Sequence, residues 1–133
     1  MKTIISAARW TPFRSTQIAA PIYPDRDGRS VRIDVQLGSL TKRMLVDTGA
    51  TGLSIPESVA NRLLLRGEAV EAEEAIVTLA DGSEERRSGV RIWLFSIGGH
   101  VLHHVYATVA PDGSEPLLGF PLLNQVGRFE TSV

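Results

Sequence analysis

Apolar and polar residues alternate over much of the chain, and turn residues divide the pattern into short runs. Residues 31–37 (VRIDVQL) are apolar at every second position, the period of a strand with one buried face. A glycine-containing turn follows at residues 38–40, and residues 42–46 (KRMLV) predict the returning strand. We therefore expect a β-hairpin that leads directly into Asp47.

One segment has a helical period instead. Residues 56–65 (PESVANRLLL) repeat apolar residues at intervals of three and four, which predicts a short amphipathic helix. Ser54 and Glu57 are spaced as a capping box at its start, and Gly67 is suited to end it.

The second half of the chain predicts further strands. Runs 75–79 and 90–95 flank ADGS at residues 80–83, whose Asp-Gly pair is typical of a hairpin turn. Trp93 and Phe95 share one side of the second run, and we expect both in the core. A turn, a strand, a short strand, a helical turn and an extended tail follow at residues 96–100, 101–109, 117–119, 121–125 and 128–133. The pattern indicates a mostly antiparallel β domain with one or two short helices.

Composition limits the possible partners. The chain has 133 residues, 43% apolar and 22% charged, which fits one compact domain. Its formal net charge of −1 provides no positive field for nucleic acid or anionic lipid, so neither partner is expected. Cysteine is absent, which excludes disulfides, thiolate zinc sites and a thiol nucleophile.

The sequence predicts neither a membrane span nor a resident metal or cofactor. No apolar run reaches the roughly 20 residues that a spanning helix needs. The apolar N-terminal stretch is interrupted by Arg9 and Arg14 too early for a secretory signal, so we expect a cytoplasmic protein. His100, His103 and His104 have no carboxylate at ligand spacing, and we interpret them as strand and turn residues.

The segment with the strongest chemical signal is Asp47-Thr48-Gly49-Ala50. It places a carboxylate at the end of an apolar strand, beside a small hydroxyl and a glycine that permits close backbone approach. Taken alone, this pattern also fits a capped surface turn.

The context of this turn resembles the active-site loop of aspartic peptidases, in particular the single-domain, retropepsin-like group. The similarity runs through residues 44–56 (MLVDTGATGLSIP). The family's second signature, two apolar residues and a glycine, stands as Leu117, Leu118 and Gly119, and residues 120–127 resemble the helix that follows it. The resemblance implies a retropepsin-like acid-protease fold over residues 30–133, a closed antiparallel β domain with a flap hairpin. Residues 1–29 would be an N-terminal extension, packed on the core or part of a dimer interface.

The resemblance also implies an aspartic endopeptidase that acts on extended peptide or protein segments. This chemistry needs two carboxylates that share a proton and activate a water, and the chain holds one Asp-Thr-Gly motif. A homodimer would therefore supply Asp47 twice, once from each chain. Thr48, Gly49 and Ala50 would complete the active-site loop and contact substrate.

The same resemblance assigns supporting roles to two other segments. Leu117, Leu118 and Gly119 would lie behind the active-site loop, with Gly119 giving clearance for the crossing chain. Residues 78–89 would form the flap, with Ala80, Asp81 and Gly82 nearest to substrate.

The sequence departs from the retroviral pattern near the active-site loop and in the flap. Thr51 and Phe120 stand where retroviral enzymes carry an ion-paired aspartate and arginine, which favours a cellular or bacterial member. The flap is polar, so a catalytically silent dimerisation or peptide-binding module is an alternative. A third possibility is a monomer that stays inactive until a substrate or partner brings two copies together.

Overall fold

The computed structural model describes residues 9–12, 22–24, 26, 30–47 and 49–130. This part of the chain forms an eight-stranded sheet and a separate two-stranded sheet. The strands are β1 (Arg9–Pro12), β2 (Ile22–Pro24), β3 (Val31–Leu37), β4 (Leu40–Asp47), β5 (Leu53–Pro56), β6 (Ala69–Thr78), β7 (Glu84–Ile97), β8 (His100–Ala110), β9 (Leu117–Gly119) and β10 (Gly127–Glu130). Helices α1 (Glu57–Leu65) and α2 (Phe120–Val126) complete the described elements.

The larger sheet closes on itself. Its strand order is β2-β3-β4-β9-β5-β8-β7-β6, and β3 also pairs with β7 through Leu37 opposite Phe95. The amide of Gly38 extends this seam by donating to the Leu94 carbonyl over 2.8 Å. The result is a small barrel with one core, and alternate residues of its strands fill the interior. The predicted closed β domain is confirmed.

The first predicted hairpin is confirmed. β3 alternates between buried and less buried positions along its length, and Ile33 and Val35 are fully enclosed. It pairs in antiparallel register with β4, from Arg32 opposite Leu45 to Leu37 opposite Leu40. Burial of these apolar faces is the main favourable contribution to folding. The hairpin ends at Asp47, the last residue of β4.

Helix α1 begins at Glu57, but the predicted capping box is wrong. Ser54 lies in β5, a four-residue strand that the sequence pattern did not predict. The N-cap residue is Pro56, which has no side-chain capping bond. The Ser58 amide instead donates to Oδ1 of Asp112, 54 residues later, over 2.7 Å. A residue distant in sequence therefore satisfies a free amide of the first turn.

The end of α1 is as predicted. Gly67 has φ +70°, and its amide donates to the Leu64 carbonyl over 3.1 Å. The Glu68 amide donates to the Leu63 carbonyl over 2.9 Å. These two bonds form a Schellman motif, which favours glycine at the left-handed position.

The β6–β7 hairpin is longer than the sequence indicated. β6 begins at Ala69, six residues before the predicted start at Ala75, because three of the six added residues are exposed glutamates. The expectation that Trp93 is a core residue is wrong, since 42% of it is exposed while Phe95 is fully buried. The Trp93 amide donates to the Glu68 carbonyl over 3.0 Å, which continues the β6–β7 pairing. The β7–β8 ladder is interrupted at Trp93, and His104, the residue of β8 at this point, has φ +59°.

The ends of the described chain form the smaller sheet. β1 pairs with β10 in antiparallel register, from Arg9 opposite Glu130 to Pro12 opposite Gly127. β2 adds to the edge of the larger sheet beside β3. α2 confirms the helical turn predicted at residues 121–125. The last part of the predicted tail, residues 131–133, lies outside the described residues. None of the helices described in the structure is long and apolar enough to cross a bilayer.

Candidate active site

The Asp47 loop and the Leu117–Gly119 segment meet in the structure. β9 lies between β4 and β5, parallel to β4 and antiparallel to β5. In this register Asp47 is opposite Gly119, and Leu118 is opposite both Val46 and Leu53. The pairing thus holds Asp47 and residues 117–119, about 70 positions apart in the sequence, at one point of the barrel.

The Asp47 carboxylate is half-buried and is fixed by its own loop. Its Oδ1 accepts a hydrogen bond from the Gly49 amide over 2.9 Å. The Ala50 amide donates to the Asp47 carbonyl over 3.2 Å, which closes the turn. Among the described residues Oδ2 has no donor, so one carboxylate oxygen is left available. Thr48, assigned to the same loop from the sequence, lies outside the described residues.

Two glycines of this region, Gly119 and Gly49, have different surroundings. A Cβ at Gly119 would lie 2.4 Å from the Ala50 carbonyl oxygen and 2.8 Å from the Gly52 amide nitrogen. Gly119 therefore gives the clearance that the crossing loop needs, and its amide donates to the Gly52 carbonyl over 2.9 Å. A Cβ at Gly49 would meet Oδ1 of Asp47 at 3.4 Å, an ordinary contact. The described part of this chain does not require a glycine at position 49.

A row of partly exposed side chains crosses the sheet next to Asp47. Leu45 is opposite Leu117, Leu117 is opposite Ser54, and Ser54 is opposite Thr108. Each of these four residues is half-buried, whereas their strand neighbours Val46, Leu118 and Leu53 face the core. Leu45 shares its strand face with Asp47 because side chains alternate along β4. The sequence patterns did not indicate Leu45, Ser54 or Thr108 as site residues, although Leu45 stands two residues before Asp47 on the same strand and so shares its face.

The loop before β9 is anchored from both sides. Arg32 of β3 forms an ion pair with Glu115, and its Nε donates to Glu115 over 2.7 Å. Asp112 holds the start of α1 from the same loop, as described above. The Leu45 amide donates to the Pro116 carbonyl over 3.0 Å. These bonds fix the approach of β9 to the Asp47 loop.

The predicted flap tip is the exposed turn of the β6–β7 hairpin. Thr78 pairs with Glu84, and the Leu79 amide donates to the Ser83 carbonyl over 2.8 Å. Gly82 has φ +85°, a conformation that favours glycine. Ala80, Asp81 and Gly82 are all exposed, and their described hydrogen bonds stay within the turn.

Asp81 is held by the turn as a fixed charge. Its Oδ1 accepts hydrogen bonds from the hydroxyl and the amide of Ser83. The Ser83 hydroxyl, followed by the Ser83 amide, lowers the pKa of Asp81 because both donors favour the ionised form. The tip of the hairpin therefore carries a negative charge in a defined position.

The three histidines do not form a ligand cluster. Rings of Trp93 and His104 are in edge contact with centroids 4.7 Å apart, and His103 Nδ1 lies 3.2 Å from the Trp93 carbonyl oxygen. Within the ranges that the structure describes, no group of three or more His, Asp or Glu side chains could hold a metal ion.

The sequence and the fold identify the class of protein. Residues 31–122 match the family model described as aspartyl protease, which is more than half of the chain. The chain therefore belongs to the aspartyl protease family and is an aspartic-type endopeptidase. The matched range contains both the Asp47 loop and the Leu117–Gly119 segment.

The fold is retropepsin-like. The structure is similar to a crystal structure of a retropepsin-like aspartic protease from Rickettsia conorii, with a TM-score of 0.61 and 20% sequence identity. The similarity covers 87% of this chain and 83% of the other. No curated protein sequence matches the chain.

Proposed function

We propose that this aspartic peptidase acts as a homodimer in which Asp47 of each chain contributes one carboxylate to a shared catalytic pair. The observation that carries the proposal is the Asp47 loop, present once in the sequence and placed at the β4–β9 crossing with a carboxylate oxygen available. One carboxylate cannot act as base toward water and as acid toward the scissile carbonyl in the same step. A second chain supplies the missing group.

The two carboxylates would divide the chemistry through one shared proton. The ionised Asp47 takes a proton from the bound water, whose oxygen attacks the peptide carbonyl. The protonated Asp47 of the other chain donates a hydrogen bond to the carbonyl oxygen as negative charge develops there. Two close carboxylates titrate as a coupled pair, so the activity is expected to depend on both ionisation steps.

The surroundings of Gly49 support contact with a second chain or with substrate. Gly49 is exposed, and the described part of its own chain leaves room for a Cβ there. A glycine at such a position allows another backbone to approach closely. We propose that Thr48 bonds across the two-fold axis and that Gly49 and Ala50 contact the substrate backbone.

The pairing of β1 with β10 suggests where the two chains join. These strands form a two-stranded sheet apart from the barrel, and in the described residues no other strand pairs with either of them. Open strand edges readily pair with another chain. The same sheet from a second copy could add to these edges and bring the two Asp47 loops together.

The proposed substrate is an extended peptide with apolar side chains near the scissile bond. Leu45 and Leu117 lie beside Asp47 on one face and are half-buried, so they can bind such side chains. The β6–β7 hairpin would close over the peptide, with Ala80, Asp81 and Gly82 at its tip. An extended peptide could then pair with the hairpin through main-chain hydrogen bonds.

The substitution Asp47→Asn tests this assignment, because it keeps the shape of the side chain and removes its charge. We expect peptide hydrolysis to fall at least about a hundredfold, the usual contribution of general acid–base catalysis, with no change in melting temperature or dimer content. Asp34→Asn is the matched control, since Asp34 pairs with Arg43 over 3.0 Å on the outer surface and should leave the rate unchanged. Hydrolysis at the wild-type rate by purified Asp47→Asn would reject the role of Asp47. Peptide binding without turnover by the wild type would favour a silent binding module.

A further inference from the structure

The base of the β6–β7 hairpin contains a β-bulge. The register shifts by one between Ala72 and Ala75, so Glu73 and Glu74 lie opposite a single residue, Ser88. A bulge leaves the extra residue unpaired in the ladder and bends the strand. The direction of the hairpin beyond this point therefore depends on how the bulge is held.

Tyr106 of β8 binds the bulge from two strands away. Its hydroxyl donates to the Glu73 carbonyl over 2.7 Å and so satisfies a carbonyl at the irregular point. The ring reaches Glu73 by crossing β7 at Gly89. A Cβ at Gly89 would lie 2.3 Å from both the Tyr106 hydroxyl and the Glu73 carbonyl oxygen. The glycine therefore provides the space through which the tyrosine reaches the hairpin.

An ion pair lies next to this hydrogen bond. Arg91 forms an ion pair with the Glu73 side chain over 3.0 Å, and its guanidinium lies 5.5 Å from the centre of the Tyr106 ring. Burial, followed by the nearby Glu73 charge, raises the pKa of Tyr106. Both effects disfavour loss of the hydroxyl proton, so the hydroxyl remains a donor to the Glu73 carbonyl.

We propose that Tyr106 is a positioning residue for peptide hydrolysis: its hydroxyl fixes the bulge and thereby sets the angle at which the hairpin covers the substrate. The inference rests on the proposed function in one respect, the closure of this hairpin over a bound peptide. β6 is the outer strand of the sheet and, among the described strands, pairs with β7, so the arm beyond the bulge depends on this pairing and on the contacts at its base. The hydrogen bond reduces the ordering that closure requires.

The test compares Tyr106→Phe with Glu73→Gln. The first variant removes the hydroxyl and keeps the ring over Gly89. The second removes the ion pair with Arg91 and keeps the carbonyl that Tyr106 binds. Gly89→Ala is a second, more disruptive variant, because its methyl group would displace the hydroxyl and would also lie 2.3 Å from the Glu73 carbonyl oxygen, so the β6 backbone has to move as well. Each protein is measured for KM and kcat on one peptide, for melting temperature, and for amide hydrogen exchange over residues 69–97.

For Tyr106→Phe we expect KM to rise roughly three- to tenfold, the effect of losing one hydrogen bond, with kcat within about twofold. Exchange should accelerate in the hairpin and not in β3 or β4. Gly89→Ala should show faster exchange in the hairpin together with a lower melting temperature, because its methyl group also meets the β6 backbone. Glu73→Gln should match the wild type. A Tyr106→Phe protein with wild-type KM and exchange would overturn the inference, as would a lower melting temperature with unchanged KM. If the wild type cleaves no peptide, the proposed function fails. Faster hairpin exchange in Tyr106→Phe than in the wild type would still support Tyr106 as the anchor of the bulge, and equal exchange in the two proteins would refute it.

Discussion

Asp47 and Gly119 lie opposite each other on two parallel strands, β4 and β9. The pairing places the carboxylate where the loop after β4 crosses in front of β9, and the missing side chain at Gly119 makes room for this crossing. The Asp47 carboxylate is thus positioned by backbone pairing, and a close approach of two chain segments maintains its geometry.

Gly119→Ala should distort the Asp47 loop. The added methyl group would lie 2.4 Å from the Ala50 carbonyl oxygen, so the backbone has to move. We expect a loss of about 1–3 kcal/mol in the free energy of unfolding, the usual cost of overpacking, together with loss of peptide hydrolysis. Denaturant unfolding and a peptide-cleavage assay measure the two effects. A variant with wild-type stability and activity would show that this close approach is unimportant.

Gly49→Ala should separate folding from activity. Its methyl group would make an ordinary 3.4 Å contact with Asp47 and meets no other described atom closely. We expect unfolding within about 0.5 kcal/mol of the wild type, as for a surface substitution. If a second chain or the substrate backbone packs on Gly49, kcat/KM should fall about tenfold or more. Full activity in this variant would place the partner backbone elsewhere.

Asp112→Ala tests the cap on α1. The Asp112 carboxylate accepts the Ser58 amide over 2.7 Å, so its removal leaves a free donor in the first turn. We expect the free energy of unfolding to fall by about 1 kcal/mol. Asp112→Asn keeps an oxygen acceptor and should retain most of the stability, as measured by urea unfolding. Equal losses in the two variants would mean that the negative charge, not the hydrogen bond, matters at this position.

Glu68 makes part of the stability dependent on pH. Its carboxylate accepts the hydroxyl and amide of Ser39, which lower its pKa below the ordinary 4.5. A carboxylate with a lowered folded pKa stabilises the fold above its unfolded pKa, and this stabilisation is lost as the pH falls through the folded pKa. The melting temperature of the wild type should therefore exceed that of Glu68→Gln at neutral pH, and the difference should shrink below about pH 4.5. A difference that stays constant from pH 7 to pH 3 would exclude this linkage.

Local patterns predicted much of the barrel. The β3–β4 hairpin and the Gly67 stop depend on alternation and turn chemistry within a few residues, and both are confirmed. The cap on α1 could not be found this way, because Asp112 approaches from a distant loop. The start of β6 was missed because an exposed hairpin arm needs no apolar face.

In the candidate site, too, local features could be predicted from the sequence and long-range contacts could not. The motif itself selected Asp47 and Gly119, but their pairing is a property of the closed sheet. The bulge at Glu73 and its bond to Tyr106 span three strands, so no spacing in the sequence indicates them.

Mixing wild-type protein with Asp47→Asn tests the shared catalytic pair most directly. Peptide cleavage is followed at fixed wild-type concentration while the variant is added in increasing excess, and again as the wild type alone is diluted. If the site needs one Asp47 from each chain, excess variant should draw wild-type chains into inactive mixed dimers, and dilution should lower the activity per mole. Activity per mole that does not change with dilution or with a large excess of Asp47→Asn would contradict the account.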